Sequence, residues 1–168
     1  MLKMLCQVNM SLLIFSKPKW DITTASGFAQ RRKPLIGLQS SISGRFNHHF
    51  YASLSYIRTL DVSTIFAILF PKIGYEEMNN FSIVTGVHYS EKYFFGALGI
   101  GLGRSKIKDL DFFTGNESTV KTYGFEIKVQ TSLVIWKYIG LGLTYNYNIN
   151  RFKNFQSVMI GWQFGLLR

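Results

Sequence analysis

Two residues at the end of one segment have the chemistry of a nucleophile and its base. The segment 88–91 reads HYSE, so His88 and Ser90 stand two positions apart. In an extended strand, residues two apart lie on the same face, which lets an imidazole accept a proton from a hydroxyl. Glu126 could orient that imidazole, as a carboxylate does in a hydrolytic triad, but it comes from a distant segment. We favour a histidine on an enclosed face beside a strand-end serine, and we predict no catalytic residue.

Other polar residues suggest acid–base chemistry, metal binding or phosphate binding. Glu126 and Lys128 stand two positions apart, and we favour an ion pair on an enclosed polar face over acid–base catalysis. His48 and His49 are adjacent, so in a strand they point to opposite faces and do not bind one metal together. The glycine-rich segment 99–103, GIGLG, lacks the Lys and the Ser or Thr of a phosphate loop. We predict no metal and no cofactor.

The elements that carry these residues are predicted from hydrophobic alternation with a period of two. The segment 137–150, KYIGLGLTYNYNIN, alternates large residues with Gly, Thr and Asn. Such alternation over eight or more residues is typical of a strand whose two faces differ. Turn-forming residues predict connections at 74–80 and at 109–118, the latter being the longest loop. Eight strands are predicted, approximately at 35–43, 48–58, 61–70, 80–90, 92–105, 119–135, 138–150 and 155–166.

The composition is apolar overall but contains no candidate membrane-spanning helix. Hydrophobic residues make up 47% of the chain and charged residues 17%, against about 25% charged in soluble domains. The longest apolar run, IFAILF at 65–70, is far shorter than the roughly 18 residues that a spanning helix needs. The net charge of +10 is dispersed in short groups such as RRK at 31–33, which does not favour nucleic-acid binding. The single cysteine, Cys6, forms no internal disulfide.

The residue types on the two strand faces indicate which face is enclosed. One face carries mainly Gly, Ser, Thr, Asn and Gln, which suits the narrow interior of a closed barrel of about eight strands. The other face is large and apolar with Trp and Tyr, which suits lipid. The predicted fold is an all-β, closed, antiparallel up-and-down barrel that spans a membrane, with His88, Glu126 and Lys128 in its lumen. The predicted lipid-facing residues are Ile139, Leu141, Leu143, Tyr145, Tyr147, Val158, Ile160, Trp162, Phe164 and Leu166.

The end of the chain carries a second pattern, GWQFGLLR over 161–168, which follows the glycine-alternating KYIGLGLTYNYN. With these patterns the segment 34–168 resembles the small outer-membrane β-barrel proteins of Gram-negative bacteria, including uncharacterised barrels common among the Bacteroidetes. The resemblance implies that Gly161, Phe164 and Leu166 form the assembly signal of the last strand. The chain departs from the family pattern by ending in Leu-Arg, where an aromatic residue is common.

The resemblance also implies a location and a set of partners. It implies a monomer in the bacterial outer membrane, surrounded by outer-membrane lipid and lipopolysaccharide and inserted by the barrel-assembly machinery. Its role would be non-enzymatic, either structural or in surface interaction, and no nucleic acid is expected as a partner. Because an eight-strand lumen is normally filled by side chains, we do not predict a general diffusion pore.

Residues 1–33 differ from the rest of the chain. Their apolar start is followed by the polar SKPKWD at 16–21, which leaves no proper signal-peptide core. We predict a leader over 1–33, either a degraded signal segment or a misassigned start, and a barrel domain over 34–168. An extra strand or a plug is the other interpretation of the leader.

Two alternative functions remain open from the sequence. A soluble calyx-like barrel that binds a small apolar ligand would place the large apolar face inside. An outer-membrane lipid A deacylase would use His88 and Ser90, because such barrels carry a His-x-Ser pair. Here Glu91 occupies the position after the serine where those enzymes have Asn.

Overall fold

The structure, a computed structural model, describes residues 19–30, 34–46, 49–61, 75–111, 116–152 and 154–165. Within them, eight antiparallel strands form one closed barrel in which each strand pairs with the next and the last returns to the first. The predicted closed antiparallel fold is confirmed. The strands are β1 (Lys19–Gln30), β2 (Pro34–Phe46), β3 (Phe50–Asp61), β4 (Tyr75–Ser90), β5 (Phe94–Asp111), β6 (Asn116–Trp136), β7 (Ile139–Asn150) and β8 (Phe155–Gly165). In the part of the chain described here, no helix is long and apolar enough to cross a membrane.

Strand β1 occupies residues that the sequence analysis assigned to a leader. Its alternation is present, since Trp20, Ile22 and Phe28 are exposed while Asp21, Thr23, Ala25 and Ala29 are buried. The pattern is weak because Thr24 and Ser26 take outward positions where large residues would be expected. The boundary predicted at residue 34 is therefore wrong, and residues 19–30 belong to the barrel.

Seven of the eight predicted strands correspond to β2–β8, and the exception is the one predicted at 61–70. Of the predicted strand at 61–70, Asp61 ends β3 and residues 62–70 lie outside the described residues. Residues 1–18 also lie outside them, so the leader stays a prediction over that part.

Strands β4, β5 and β6 are longer than predicted, at 16, 18 and 21 residues. The loops predicted at 74–80 and 109–118 are partly wrong, because they contain the ends of these strands. Backbone pairing continues through polar residues, from Glu77↔Lys108 to Asp111↔Asn116, whereas hydrophobic alternation stops earlier. We call residues 75–81, 104–111 and 116–123 the extended sheet, since the pairing of β7 with β6 stops at Gly124.

The barrel has two dissimilar ends. At the terminus end lie the first and last described strand residues, Lys19 and Gly165, and the points where short segments join β2 to β3, β4 to β5 and β6 to β7. At the loop end lie the connections 31–33, 62–74, 112–115 and 151–154, together with the extended sheet. The longest strands therefore extend at the end where the longest stretch of chain between two strands joins β3 to β4.

The lumen is filled in layers. An apolar cluster at the loop end includes Leu35, Ile57 and Phe155, and a second at the terminus end includes Tyr51 and Phe95. Between them lies a belt of buried Ser, Thr, Asn and Gln with two acidic and two basic residues. The barrel therefore has a packed interior, as expected for eight strands.

The barrel closes where β8 meets β1, in a register that runs from Asp21↔Gly165 to Gln30↔Gln156. Gly161 lies on the buried face of this seam, opposite Ala25. A Cβ at Gly161 would collide with the backbone of Thr24 and Ala25, so only glycine lets the two strands approach this closely. Phe164 lies on the outer face, and Leu166, the third residue of the predicted assembly signal, lies outside the described residues.

The seam predicts that Gly161→Ala hinders barrel closure in the purified chain. Overpacking of this kind costs about 1–3 kcal/mol, and refolding from urea into detergent involves no assembly machinery. We expect the folded fraction, measured by the heat-dependent shift in gel mobility, to fall severalfold. Gly96→Ala is the matched control, because a Cβ there meets only the Phe94 ring, at 3.1 Å. Normal refolding of Gly161→Ala, with a defect seen only in cells, would instead assign Gly161 to recognition by the assembly machinery.

Candidate functional site

A carboxylate lies at the centre of the polar belt. Glu126 on β6 is fully buried, and its two oxygens accept hydrogen bonds from Asn80 Nδ2 at 2.8 Å, Ser82 Oγ at 2.8 Å and Asn148 Nδ2 at 3.3 Å. Asn80 in turn accepts a bond from Ser105 Oγ at 2.9 Å. Because hydrogen bonds to the ionised form offset the cost of burial, this cluster can hold Glu126 as a carboxylate and joins β4, β5, β6 and β7.

A buried ammonium group spans the lumen beside it. Lys128 Nζ donates to Ser53 Oγ at 2.9 Å and to Ser55 Oγ at 3.0 Å, and both serines lie on β3, which is not a neighbour of β6. The direct ion pair predicted between Glu126 and Lys128 is therefore wrong. Residues two apart on a strand face have Cα atoms about 7 Å apart, and each charged group meets closer polar partners on other strands.

Further hydrogen bonds cross the lumen at nearby levels. Asn146 Nδ2 on β7 donates to Gln39 Oε1 on β2 at 3.1 Å, and Gln130 Nε2 on β6 donates to Thr23 Oγ1 on β1 at 3.4 Å. Lys128, like Glu126, has 0% of its surface exposed. A water-filled channel would expose these side chains, so the lumen is closed to water at this level.

A second charged pair lies nearer the terminus end. Arg45 Nε is 3.6 Å from Asp21 Oδ2, and Asp21 Oδ1 accepts a bond from Gln163 Nε2 at 2.9 Å. The Arg45 guanidinium also lies 5.4 Å from the centre of the Phe95 ring. Among the described residues, the lumen thus holds two carboxylates and two cations, which balances its charge.

The residues that suggested a hydrolytic relay are not assembled into one. His88 is buried, with 8% of its surface exposed, and stacks on Phe95 at 6.0 Å between ring centres. Ser90 is exposed at the end of β4. Ser82, which is bonded to Glu126, lies six residues from His88 on the same strand, a distance of about 20 Å. Glu126 therefore cannot orient His88.

The residues weighed above for metal or phosphate binding are the two adjacent histidines and the glycine-rich segment of β5. No three His, Cys, Asp or Glu side chains come together as metal ligands within the described ranges. His49 lies in an exposed turn, and His48 lies outside the described residues. The segment GIGLG forms part of β5, where Gly99 and Gly103 make room for side chains in the lumen and Gly101 lets β4 approach closely. At Gly103, for example, a Cβ would lie 2.6 Å from Asn148 Nδ2 and 2.9 Å from Glu126 Oε2.

The large apolar residues lie on the outer face. Leu141 and Leu143 are 39% and 45% exposed, so the inward orientation required by a soluble calyx-like barrel is wrong. Ile139, Tyr145 and Tyr147 are half-buried, and Leu166 lies outside the described residues. The other residues predicted to face lipid are exposed as well: Val158, Ile160, Trp162 and Phe164.

Exposed aromatic side chains concentrate at two levels of the outer face. At the terminus end, Trp20 lies over Gly44 and packs edge-on against Phe46, with ring centres 6.1 Å apart. Aliphatic residues occupy the middle level. The exposed aromatic residues at the terminus end are Trp20, Phe46, Phe50, Tyr89, Tyr93, Phe94, Trp136, Tyr138, Trp162 and Phe164, and those toward the loop end are Phe28, Tyr56, Phe81, Tyr123, Phe125 and Phe152.

The barrel is similar to small outer-membrane proteins of known structure. Ail, the attachment invasion locus protein of Yersinia pestis, matches with a TM-score of 0.62 at 14% identity, over 88% of this chain and 97% of Ail. Neisserial surface protein A matches with 0.65 at 13%, over 89% and 97%. The N-terminal β-barrel domain of Pseudomonas aeruginosa OprF matches with 0.65 at 12%, over 89% and 99%. They share this fold.

Sequence comparison adds no relative to this list. No protein-family model matches the chain, and no curated protein sequence matches it. Ail is also known in complex with the heparin analogue sucrose octasulfate. At identities of this size the likeness concerns the fold, so the outer face and the lumen have to be interpreted from the residues of this chain.

The charge balance of the lumen predicts that Glu126 and Lys128 are energetically coupled. Glu126→Gln and Lys128→Met should each lower the free energy of unfolding by about 3 kcal/mol, because each leaves an uncompensated buried charge. The double variant should lose less than the sum, since balance is restored. Urea unfolding in detergent measures all three values. Strict additivity would show that the two clusters act independently.

The separation of His88 from Glu126 predicts that the chain does not deacylate lipid A. Expression of the wild type and of Ser90→Ala in the same Gram-negative host should give identical lipid A acylation, measured by mass spectrometry. An acyl chain lost with the wild type and retained with Ser90→Ala would contradict this.

Proposed function

We propose that this protein spans the bacterial outer membrane as a monomeric, non-conducting and non-enzymatic β-barrel with a structural or surface-interaction role. The observation that carries the proposal is the outer face, where exposed aliphatic residues lie between two levels of aromatic residues. In water that surface would be costly, whereas membrane barrels present an apolar band flanked by aromatic girdles. The charge-balanced centre of the lumen, where Glu126 and Lys128 are buried and hydrogen-bonded, supports a barrel that is stable without conducting.

The asymmetry of the two ends supports one orientation. Bacterial barrels have short turns on the periplasmic side and longer loops outside. By this rule the terminus end faces the periplasm, and the extended sheet projects beyond the cell surface. The sheet and the connections beside it would then be the parts available to a partner outside the cell.

The surroundings follow from this placement. The barrel would contact outer-membrane lipid and lipopolysaccharide, and the barrel-assembly machinery would insert it. The glycine-alternating β7 and the ending GWQFGLLR support a relation to Bacteroidetes-type barrels. The complex of Ail with a heparin analogue is a precedent, on this fold, for surface interaction with a polyanion.

The proposal predicts a heat-modifiable membrane protein without general pore activity. The detergent-extracted membrane fraction should show a band whose mobility shifts on boiling, because a closed barrel resists unfolding by detergent alone. Reconstituted in a planar bilayer, the folded protein should show no steady conductance, with a known porin as the positive control. A folded protein that is soluble without detergent would contradict the membrane placement. A steady conductance would contradict the proposal that the lumen does not conduct.

A further inference from the structure

The outer face of the extended sheet carries more cations than acids. Two cations of this region have acidic partners, one on the extended sheet itself and one on the neighbouring strand β3. Arg58 Nε lies 3.1 Å from Glu77 Oε1, and Lys108 Nζ lies 3.8 Å from Glu117 Oε1. The remaining cations of this face are Arg104, Lys106 and Lys121, which we call the outward cation cluster.

The outward cation cluster is compact and lacks acidic partners within the described residues. Lys106 and Lys121 are directly opposite each other in the ladder between β5 and β6, an arrangement in which like charges repel. Arg104 lies two positions away on β5, about 7 Å along the strand, and its guanidinium is 5.8 Å from the centre of the Tyr123 ring. An anion placed among the three groups would offset this repulsion.

The height of the cluster on the barrel indicates what kind of molecule would carry that anion. Arg104 is flanked in register by Phe81 and Tyr123, which belong to the aromatic level toward the loop end. The rung two positions nearer the barrel centre is entirely apolar, formed by Ile83, Leu102 and Phe125. The cations therefore begin where the apolar band ends, on the same outward face, which is the level of lipid headgroups around a membrane barrel.

We propose that Arg104, Lys106 and Lys121 bind the phosphate groups of a glycolipid in the outer leaflet, whose acyl chains lie along Ile83, Leu102 and Phe125. This inference rests on the membrane placement proposed above. Both the charge and the apolar continuity of this face fit one amphiphilic molecule with clustered phosphates. Arginine supplies paired N–H donors for a phosphate, and the two lysines supply point charges.

The test measures binding of diphosphoryl lipid A to the full-length protein folded in a neutral detergent. Native mass spectrometry gives the apparent affinity for the wild type and for the double variant Lys106→Gln/Lys121→Gln. We expect the double variant to bind about tenfold more weakly or worse, because it loses two charge-assisted contacts with phosphate. Monophosphoryl lipid A should bind the wild type more weakly than the diphosphoryl form.

The control removes the same charge from the opposite rim. Lys92 and Lys137 lie against the rings of Tyr93 and Tyr138 at the terminus end, and Lys92→Gln/Lys137→Gln should bind lipid A like the wild type. Equal losses in both double variants would overturn the site, as would unchanged binding by Lys106→Gln/Lys121→Gln. Sucrose octasulfate and inorganic phosphate serve as free anions. If sucrose octasulfate binding alone depends on the two lysines, the lipid source is wrong and a sulfated saccharide replaces it.

The heat-dependent mobility shift separates failure of this site from failure of the membrane placement. Every variant is first checked for the shift, which these exposed substitutions should preserve. If the wild type shows no shift and is soluble without detergent, the proposed function fails and this site fails with it. If the shift is intact and the double variant binds lipid A as tightly as the wild type, only the proposed lipid site is contradicted.

Discussion

The pairing of backbone groups is the constraint on which the rest of this structure depends. In the membrane placement proposed above, no water would be present to satisfy the backbone groups of an open sheet edge, and here β8 returns to β1 so that each strand has two partners. Closure after eight strands sets a narrow lumen. That width in turn determines which side chains point inward and how close β8 must come to β1 at Gly161.

A narrow lumen turns polar side chains into structural cross-links. Glycine and serine leave space on some strands, and longer side chains from other strands fill it, as Lys128 does when it reaches Ser53 and Ser55. Each buried charge meets donors or acceptors, and the described lumen charges balance. The interior side chains are therefore occupied by contacts that stabilise the fold. The outer face, the loop end and the extended sheet remain as the places where a partner could bind.

The sequence was most informative where two faces differ strongly. Strands β7 and β8 were predictable nearly to the residue, because Leu, Ile, Trp and Phe alternate there with Gly, Asn, Ser and Gln. Strand β1 was missed because Thr24 and Ser26 interrupt its apolar face. The extended sheet was missed because, beyond the apolar band, backbone pairing holds the strands together while their side chains carry no alternation to recognise.

The sequence by itself determined the fold class, the identity of the inward and outward faces, and the burial of Glu126, Lys128 and His88. These follow from period-two alternation and side-chain size, which are local properties of a strand. Only the tertiary structure decided which polar groups meet, because Glu126, Asn80 and Asn148 come from strands that closure brings together. Register likewise decided that Lys106 stands opposite Lys121, since cross-strand alignment depends on the whole barrel and not on either segment alone.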